Sequence, residues 1–267
     1  MSGPEVQIDL SRYQVKLAET EEERAAAQRL RYRVFVEEMG AEATAEQRAL
    51  RREWDAYDPH FDHLLLVYRD PQIADPLDRV VGVYRLMQDS AAAAGIGFYG
   101  AGEYDLGPIA ASGRASGELG RSCVAAGHRG GAGMHLMWNG LAEYVLDREI
   151  EILFGVASFP GTDPERLAEP LAYLHHHHLA PEDLRVRARA EHFVDMNRMP
   201  AEAVEASRAL KAIPPLIKAY LRLGGWVGEG GWIDHAFNTI DVCVVMDTTR
   251  MTERYRQFYT RGRGRTE

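Results

Sequence analysis

The stretch Glu118-Leu-Gly-Arg-Ser-Cys-Val124 and the glycine-rich segment His128-Arg-Gly-Gly-Ala-Gly133 that follows it predict the centre of the fold. The first run is a short β-rich strand, and the glycines open an amphipathic helix that extends from about Met134 to Arg148. An apolar strand over Ile150 to Ser158 comes next. A strand, a glycine loop, a helix and a second strand in this order predict two parallel neighbouring strands.

Further strands and helices are predicted on both sides of this unit. Thr20 and Glu23 form a capping box at the start of a helix, and Pro214-Pro215 opens another helix. Two β-rich runs joined by a Pro-Asp-rich turn predict an antiparallel hairpin. The predicted elements are a strand at 13–18, a helix at 20–39, a polar helical stretch at 42–54, hairpin strands at 64–68 and 80–87, a helix at 214–223, and final strands at 226–232 and 239–246.

Length and composition predict one globular α/β domain. The chain has 267 residues, of which 46% are hydrophobic and 27% are charged, and domains commonly hold about 100–200 residues. Because no repeat or low-complexity linker divides the sequence, we predict a single mixed α/β domain with a central sheet flanked by helices. It occupies residues 13–249, with a mainly helical insertion at 163–212, a short extension at 1–12 and a basic tail at 250–267.

The charge distribution argues against nucleic-acid binding. The formal net charge is −9, whereas the last eighteen residues carry six arginines and two glutamates, so the body of the chain is acidic. The arginine-rich tail also contains Tyr255, Phe258 and Tyr259. It could contact an anionic lipid surface or an acidic protein, or it could simply be solvated.

Neither secretion nor membrane spanning is expected from the sequence. No uninterrupted apolar run approaches the roughly 18 residues of a spanning helix, and the first residues lack the basic and apolar regions of a signal peptide. Cys123 and Cys243 each lie in an apolar run. This predicts two buried thiols rather than a disulfide or a zinc site, and it fits a reducing cytoplasm.

The glycine-rich loop is a candidate anion site. Backbone N–H groups converge at the start of the helix that follows it, where the helix dipole favours a phosphate. Neither the dinucleotide pattern G-x-G-x-x-G nor the Walker pattern is present in this loop, and the chain has no G-x-S-x-G elbow. The consecutive histidines, His175 to His178, point in different directions on a helix, so we predict no metal site there.

The order of elements resembles the GNAT superfamily of acyltransferases over most of the chain. Local motifs are similar to the branch that includes acyl-homoserine-lactone synthases and ornithine N-acyltransferases. The motifs of this branch are Leu30-Arg-Tyr-Arg-Val-Phe35, Asp62-His-Leu-Leu-Leu-Val67, Val81-Gly-Val-Tyr-Arg-Leu86 and Glu118-Leu-Gly-Arg-Ser-Cys-Val124. The motifs that resemble the ornithine N-acyltransferases are Leu153-Phe-Gly-Val-Ala-Ser-Phe-Pro-Gly-Thr-Asp163, His178-Leu-Ala-Pro181, Leu216-Ile-Lys-Ala-Tyr-Leu-Arg-Leu-Gly224 and Phe237-Asn-Thr-Ile-Asp-Val242.

The resemblance implies an enzyme that moves a 3-hydroxyacyl chain from acyl carrier protein to the α-amine of L-ornithine and forms lyso-ornithine lipid. It implies no cofactor beyond the phosphopantetheine thioester of the donor, and a cytoplasmic protein that could touch the inner membrane surface. Lysine, glutamine and S-adenosylmethionine, the last giving a homoserine lactone, stay open as acceptors. A non-catalytic acyl-carrier or membrane-surface binding protein is a further alternative.

The glycine-rich loop departs from the pattern of coenzyme A users. Those members of the superfamily carry Arg/Gln-x-x-Gly-x-Gly/Ala, but starting at Arg129 places Ala132 and Met134 in the glycine positions, and starting one residue earlier loses the Arg or Gln. The loop, with Arg129, Gly131 and Gly133, could still hold one phosphate of a phosphopantetheine arm. Carrier protein is therefore the favoured donor, and coenzyme A is the alternative.

Glu118 is the candidate general base, because the attacking amine must be neutral and the resemblance places an E-x-S-R glutamate here. The alternative is an ion pair between Glu118 and Arg121, although strand alternation separates the two side chains. Arg85 and Arg121 could bind the acceptor's carboxylate or hold the acidic loop at Asp55, Asp58 and Asp62. Asp58 or Asp62 is also a candidate anion for the side-chain amine of ornithine.

The remaining candidates concern the acyl donor. Phe98 is a candidate lining residue of the acyl entrance, or simply a core residue. A backbone N–H near Cys123 or Val124 could stabilise the oxyanion that develops on the thioester carbonyl. Ser158, at the end of a strand, could bond the pantetheine arm or cap the turn that follows it.

Overall fold

The structure is a computed structural model that describes residues 10–129 and 131–250. Most of the predicted extension 1–12 and of the basic tail 250–267 lies outside the described residues, and both remain predictions. The strands are β1 (Tyr13–Leu17), β2 (Asp62–Tyr68), β3 (Val80–Gln88), β4 (Tyr104–Asp105), β5 (Ser116–Val124), β6 (Ile152–Pro160), β7 (Arg187–Ala188), β8 (Phe193–Val194), β9 (Trp226–Val227), β10 (Gly231–Asp234) and β11 (Thr239–Asp247). The helices are α1 (Glu21–Arg31), α2 (Ala45–Leu50), α3 (Asp89–Ala94), α4 (Gly107–Ala111), α5 (Gly131–Asp147), α6 (Ala168–His178), α7 (Ala206–Ala212) and α8 (Pro215–Arg222).

These elements confirm the predicted mixed α/β class, and they group into two compact units. Unit 1 contains Met1–Leu86 and Arg121–Tyr144, and unit 2 contains Met87–Gly120 and Val145–Glu267. The change from one unit to the other falls inside β5, because its first five residues belong to unit 2 and its last four to unit 1. The predicted boundaries of a single domain remain a prediction.

Unit 1 contains an antiparallel arrangement of β1, β2 and β3, and the predicted hairpin of β2 with β3 is confirmed. α1 begins after its Thr20 cap, ends at Arg31 and continues as a π-helix over Tyr32–Glu38. The single helix predicted at 20–39 is therefore of two types. On α5, a Cβ at Gly140 would lie 2.4 Å from Val15 Cγ1, so glycine lets the helix approach β1 closely.

Unit 2 contains a mixed sheet in the order β5-β6-β11-β10-β8, with β9 beside β11. The predicted parallel pair is confirmed, because Ser116 to Glu118 of β5 run parallel to Ile152 to Phe154 of β6. β6 and β11 pair antiparallel along their whole length, and most of their side chains are buried. Gly155 permits the approach of β5 to β6, because a Cβ there would lie 2.2 Å from the carbonyl oxygen of Leu119.

The insertion predicted at 163–212 is only partly helical. It contains α6 and α7, but also β7, which pairs with β4, and β8, which pairs with β10. Strands of two residues have no readable alternation of polar and apolar side chains, so the sequence predicts neither of them. Within the described residues, none of the helices has the length and apolar character needed to cross a bilayer.

Asp247, at the end of β11, holds Arg114 through hydrogen bonds of 2.8 Å from Nη1 and 2.7 Å from Nη2. These bonds lower the pKa of Asp247 to about 2. A carboxyl group with a lowered pKa stabilises the fold above its unfolded pKa near 3.9 and loses this contribution as the pH falls to the folded value. We expect Asp247→Asn to lower the free energy of unfolding by about 1–2 kcal/mol at pH 7 and by much less near pH 2.

Urea denaturation of the wild type and the Asp247→Asn protein between neutral and acidic pH measures this difference. The exposed Asp183→Asn in the same unit is the control, and we expect it to leave the pH dependence of stability unchanged. An equal loss of stability for Asp247→Asn at both ends of the pH range would contradict the assigned role of the ion pair.

Candidate active site

The residues predicted to form the site are divided between the two units. Unit 1 contains Asp58, Asp62, Arg85, Arg121, Cys123, Val124, Arg129, Gly131 and Gly133. Unit 2 contains Phe98, Glu118 and Ser158. The contacts inside each unit determine which of these groups are already engaged by their own neighbours.

A buried ion-pair network surrounds Asp58 in unit 1. Arg31 and Arg85 are 0% exposed. The Arg31 guanidinium donates to both Asp58 oxygens, at 2.9 and 2.8 Å, and to Glu53 Oε2 at 2.5 Å. Arg85 Nη1 donates to Asp58 Oδ1 at 2.7 Å and to Asp55 Oδ1 at 2.6 Å. The buried carboxylates therefore face cations, as removal of charge from water requires.

The network determines the ionisation of Asp58 and of its neighbour His63. Burial by itself raises the pKa of a carboxyl group, but the charge and hydrogen bonds of Arg31 and the charge of Arg85 hold the pKa of Asp58 far below its usual range. Burial lowers the pKa of His63 the most, and the charge of Arg31 lowers it further. Near pH 7, Asp58 is therefore ionised and His63 is neutral.

Arg121 joins the network from β5. Its Nε lies 3.3 Å from Glu53 Oε1, and its Nη2 lies 3.1 Å from Asp55 Oδ2. The backbone of Arg121 has a φ of 49°, in the left-handed region that interrupts the regular alternation of a strand. Arg85 and Arg121 thus hold the acidic loop, which is the second of the two roles predicted for them. Binding of a substrate carboxylate by either arginine remains a prediction.

The two acids predicted to bind the side-chain amine of the acceptor have different surroundings. Asp58 already faces the guanidinium groups of Arg31 and Arg85, which would repel an ammonium group. Asp62 accepts a hydrogen bond of 2.8 Å from the Tyr144 hydroxyl. Neither arrangement is that of a carboxylate pocket for an additional cation, and this role of the two acids remains a prediction.

The glycine-rich loop is closely packed at the start of α5. A Cβ at Gly133 would lie 3.1 Å from the His128 carbonyl oxygen, so a side chain larger than hydrogen would displace the loop. Arg129 Nε donates to the Val124 carbonyl oxygen at 2.8 Å, and the same guanidinium pairs with Glu38. Arg129 is thus engaged within unit 1, and phosphate binding by the loop remains a prediction.

Both cysteines are buried and carry no disulfide. Burial raises the pKa of the Cys123 thiol to about 12. Burial first, and then the charges of Glu118 and Glu103, raises the pKa of Cys243 as well. Both thiols are protonated near neutral pH, so neither is the thiolate that nucleophilic catalysis by cysteine requires.

Glu118 lies in unit 2 with 1% of its surface exposed. Its Oε2 accepts the N–H of Tyr99 at 2.8 Å, and its Oε1 accepts the N–H of Gly100 at 2.5 Å. A Cβ at Gly100 would lie 2.8 Å from Oε1, so glycine permits this close contact. Because each carboxylate oxygen offers two lone pairs, Glu118 can hold this backbone segment and still accept a proton.

A cavity of about 660 Å³ with a largely apolar lining lies beside the same backbone segment in unit 2, and Asp89 and Arg114 also line it. Phe98, Leu106 and Ile109 contribute to its lining. The Phe98 ring meets the Phe154 ring edge to face, with the centroids 4.9 Å apart. Phe98 directly precedes Tyr99, whose N–H donates to Glu118, so one backbone segment contributes both to the cavity lining and to the contacts of the carboxylate. The volume is in the range of pockets for small ligands.

Three buried acids in unit 2 form a cluster that sequence reasoning missed. Glu103, Asp234 and Asp241 each offer a carboxylate oxygen within 4.8 Å of the other two. Oxygen ligands in this arrangement could hold a cation. Ser158, predicted to bond the donor arm, is the cross-strand neighbour of Asp241. The one available signal in the sequence is Asp241 itself, an acid in the middle of an apolar strand.

The four consecutive histidines make local contacts at the end of α6. His176 Nε2 lies 2.8 Å from the Met199 carbonyl oxygen. The rings of His177 and His178 lie against Tyr173, with centroids 4.7 and 5.6 Å away. These contacts are those of packed side chains in the insertion.

Known proteins resemble this chain over nearly its whole length. The acetyltransferase (GNAT) domain family matches residues 30–139. The L-ornithine N(alpha)-acyltransferase of Rhodobacter capsulatus is 55% identical over 94% of this chain and 97% of its own. The protein of the same name from Agrobacterium fabrum is 42% identical over 92% of this chain and 84% of its own. Among solved structures, a CoA-dependent acyl-homoserine lactone synthase is 16% identical with a TM-score of 0.48, covering 92% of this chain and 84% of that chain.

Removal of Arg31 leaves Glu53 and Asp58 buried with one cation fewer. We expect Arg31→Met to lower the free energy of unfolding by about 3–5 kcal/mol, because an uncompensated buried charge is strongly destabilising. Arg24→Met on the same helix is the matched control. Its ion pair with Glu21 lies at the surface, so its loss should change stability little. Urea denaturation at pH 7 compares the two variants, and equal losses would contradict the role assigned to the buried network.

Proposed function

The chain belongs to the L-ornithine N(alpha)-acyltransferase family, and we propose that it transfers a 3-hydroxyacyl chain from acyl carrier protein to the α-amine of L-ornithine. The product is lyso-ornithine lipid. The observation that carries this proposal is the similarity to relatives of that name over nearly the full length of both chains. The match to the GNAT domain supports the acyl-transfer class of reaction.

The proposed reaction is a direct transfer from thioester to amine. The neutral α-amine attacks the thioester carbonyl carbon, a C–N bond forms, the C–S bond breaks, and the phosphopantetheine thiolate leaves. Glu118 accepts the proton that the amine loses, and the thiolate takes up a proton in turn. An acyl-cysteine intermediate is not part of the proposal, because Cys123 and Cys243 are buried and protonated.

The cavity beside Glu118 is the proposed site of the acyl chain. Its apolar lining by Phe98, Leu106 and Ile109 suits methylene groups, each of which gains about 0.8 kcal/mol on burial. Phe98 of the cavity lining directly precedes the segment that Glu118 holds, and the proposal orients the thioester end of the acyl chain toward this base.

Acyl carrier protein is the proposed donor and interaction partner. The glycine-rich loop lacks a clean Arg/Gln-x-x-Gly-x-Gly/Ala pattern for the diphosphate of coenzyme A, and Arg129 is engaged by Val124 and Glu38. A carrier-bound phosphopantetheine arm has a single phosphate, so it needs fewer contacts with this loop than the diphosphate of coenzyme A does. We place the enzyme in the cytoplasm, with peripheral contact to the inner membrane that its amphiphilic product enters.

Mass spectrometry of reaction products tests the donor and the acceptor together. Purified protein is incubated with ornithine, lysine, glutamine or S-adenosylmethionine, each with 3-hydroxyacyl carrier protein or the matching coenzyme A ester. We expect Nα-acyl-ornithine, formed preferentially from the carrier protein. Transfer only from coenzyme A would overturn the donor, transfer only to another amine would overturn the acceptor, and no transfer at all would favour a binding role.

Replacement of Glu118 tests the proposed base. We expect Glu118→Gln to lower kcat by about 10²–10⁴-fold, because general-base catalysis contributes this much, and to remove the acidic limb of the pH–rate profile. Glutamine keeps an acceptor oxygen for one of the two backbone N–H groups, so the fold should persist. The exposed Glu202→Gln is the control. Near-wild-type turnover by a folded Glu118→Gln protein would contradict the assignment of Glu118 as the general base.

A further inference from the structure

Glu103, Asp234 and Asp241 form a triangle of carboxyl groups in unit 2, which we call the acid triangle. Their exposed fractions are 4%, 7% and 4%. Because one oxygen of each lies within 4.8 Å of the others, some point lies within about 2.8 Å of all three, the length of a charge-assisted N–H···O bond. Carboxylates at this spacing repel one another, and a cation among them relieves the repulsion.

Thr239 is an independent sign of a ligand at the acid triangle. In the antiparallel pair of β10 and β11, Asp234 lies opposite Thr239 and Trp232 lies opposite Asp241. Opposite residues share a face of the sheet, so the Thr239 side chain lies on the face that carries Asp234 and Asp241. Thr239 is 2% exposed, and its hydroxyl finds no hydrogen-bond partner among the described residues. A buried hydroxyl normally has a partner, and a bound donor would supply one here.

A short turn of backbone joins the acid triangle to the proposed base. Glu118 accepts the N–H groups of Tyr99 and Gly100, and a 3-10 helix over Tyr99–Gly102 leads directly to Glu103, whose N–H donates to the Gly100 carbonyl oxygen. Four residues of 3-10 helix rise about 8 Å. The two amines of ornithine are separated by four carbon atoms, about 6 Å when extended. With a hydrogen bond at each end, one such molecule can reach both sites.

The chemistry of a primary ammonium group suits the acid triangle. An ammonium group has three N–H donors and no acceptor, so it can donate to three of the four acceptor groups that the acid triangle and the Thr239 hydroxyl present. Asp234 Oδ1 also accepts the N–H groups of Ala236 and Phe237, at 2.8 and 3.0 Å, and these neutral donors leave its charge in place. Asp58 is less suited to an ammonium group, because it already faces the guanidinium groups of Arg31 and Arg85.

We propose that the acid triangle, with the Thr239 hydroxyl, binds the side-chain ammonium of the acceptor and so restricts the enzyme to diamino acids. This inference rests on the proposed function, because it concerns the acceptor of that reaction. An acceptor without the side-chain amine brings no N–H donors to the acid triangle, and sites built for a polar group reject analogues that lack it by large factors. One extra methylene, as in lysine, changes binding much less.

Norvaline is the decisive comparison acceptor, because it has the carbon chain of ornithine without the side-chain amine. The ratio of kcat/KM for ornithine to kcat/KM for norvaline is measured with the same acyl donor in the wild type, Glu103→Gln and Asp241→Asn. We expect the wild type to prefer ornithine by about 100-fold or more. Each variant should raise KM for ornithine about 10–100-fold while changing norvaline transfer little, so that the ratio falls by about that factor.

Asp247→Asn is the matched control, because Asp247 lies on the same strand as Asp241, is also buried, and pairs with Arg114 outside the triangle. It should keep the wild-type ratio of kcat/KM values.

Thr239→Val tests the role of the hydroxyl, because it should change Tm and the response of Tm to ornithine in opposite directions. Without ligand it should raise Tm by about 2–4 °C, because it removes a buried hydroxyl without a partner. The rise in Tm on addition of ornithine should be smaller than in the wild type.

The outcomes separate this inference from the proposed function. If the wild type acylates ornithine but folded Glu103→Gln or Asp241→Asn loses ornithine and norvaline transfer equally, the triangle is structural and the inference is overturned alone. If Ca²⁺ or Mg²⁺ raises Tm of the wild type but not of Glu103→Gln, and a chelator abolishes ornithine transfer, the triangle is a metal site and the inference is overturned. Absence of any transfer to ornithine by the wild type overturns the proposed function and this inference with it.

Discussion

The two hydrogen bonds that Glu118 accepts from the backbone of Tyr99 and Gly100 organise the functional part of unit 2. They fix the start of the short turn that leads to Glu103, while Phe98, just before it, lines the apolar cavity. The carboxylate is held to this turn because Gly100 presents no side chain to it. One buried acid therefore sets the spacing between the proposed acyl site and the proposed ammonium site.

Two groups of buried carboxylates have different roles in this chain, one of them proposed. In unit 1, Arg31, Arg85 and Arg121 meet the acidic loop with contacts of 2.5 to 3.3 Å, so the charges are balanced within the protein. In unit 2, the acid triangle is proposed to receive the ammonium group of the acceptor. The first group contributes to a specific fold, whereas an acid group that receives the substrate's cation contributes to the choice of substrate.

The parts of the fold with strong periodicity were predictable from sequence, and the short parts were not. β5, α5 and β6 follow one another with clear strand and helix patterns, and the parallel pair follows from their order. β7, β8 and the π-helical turn at Tyr32–Glu38 depend on tertiary contacts that leave no local pattern. Arg85 had two open roles, because sequence does not tell which carboxylate is its neighbour. Glu103 lies far in sequence from β10 and β11, so no spacing reveals the acid triangle.

The two thiols give each unit its own reporter of local opening. Cys123 belongs to unit 1 and Cys243 to unit 2, and both are buried and protonated. The thiolate is the nucleophile that attacks an alkylating reagent, so reaction at either position waits for a fluctuation that exposes the sulfur to water. The rates of modification at the two cysteines therefore compare how often each unit opens, in the unmodified sequence and without an engineered label.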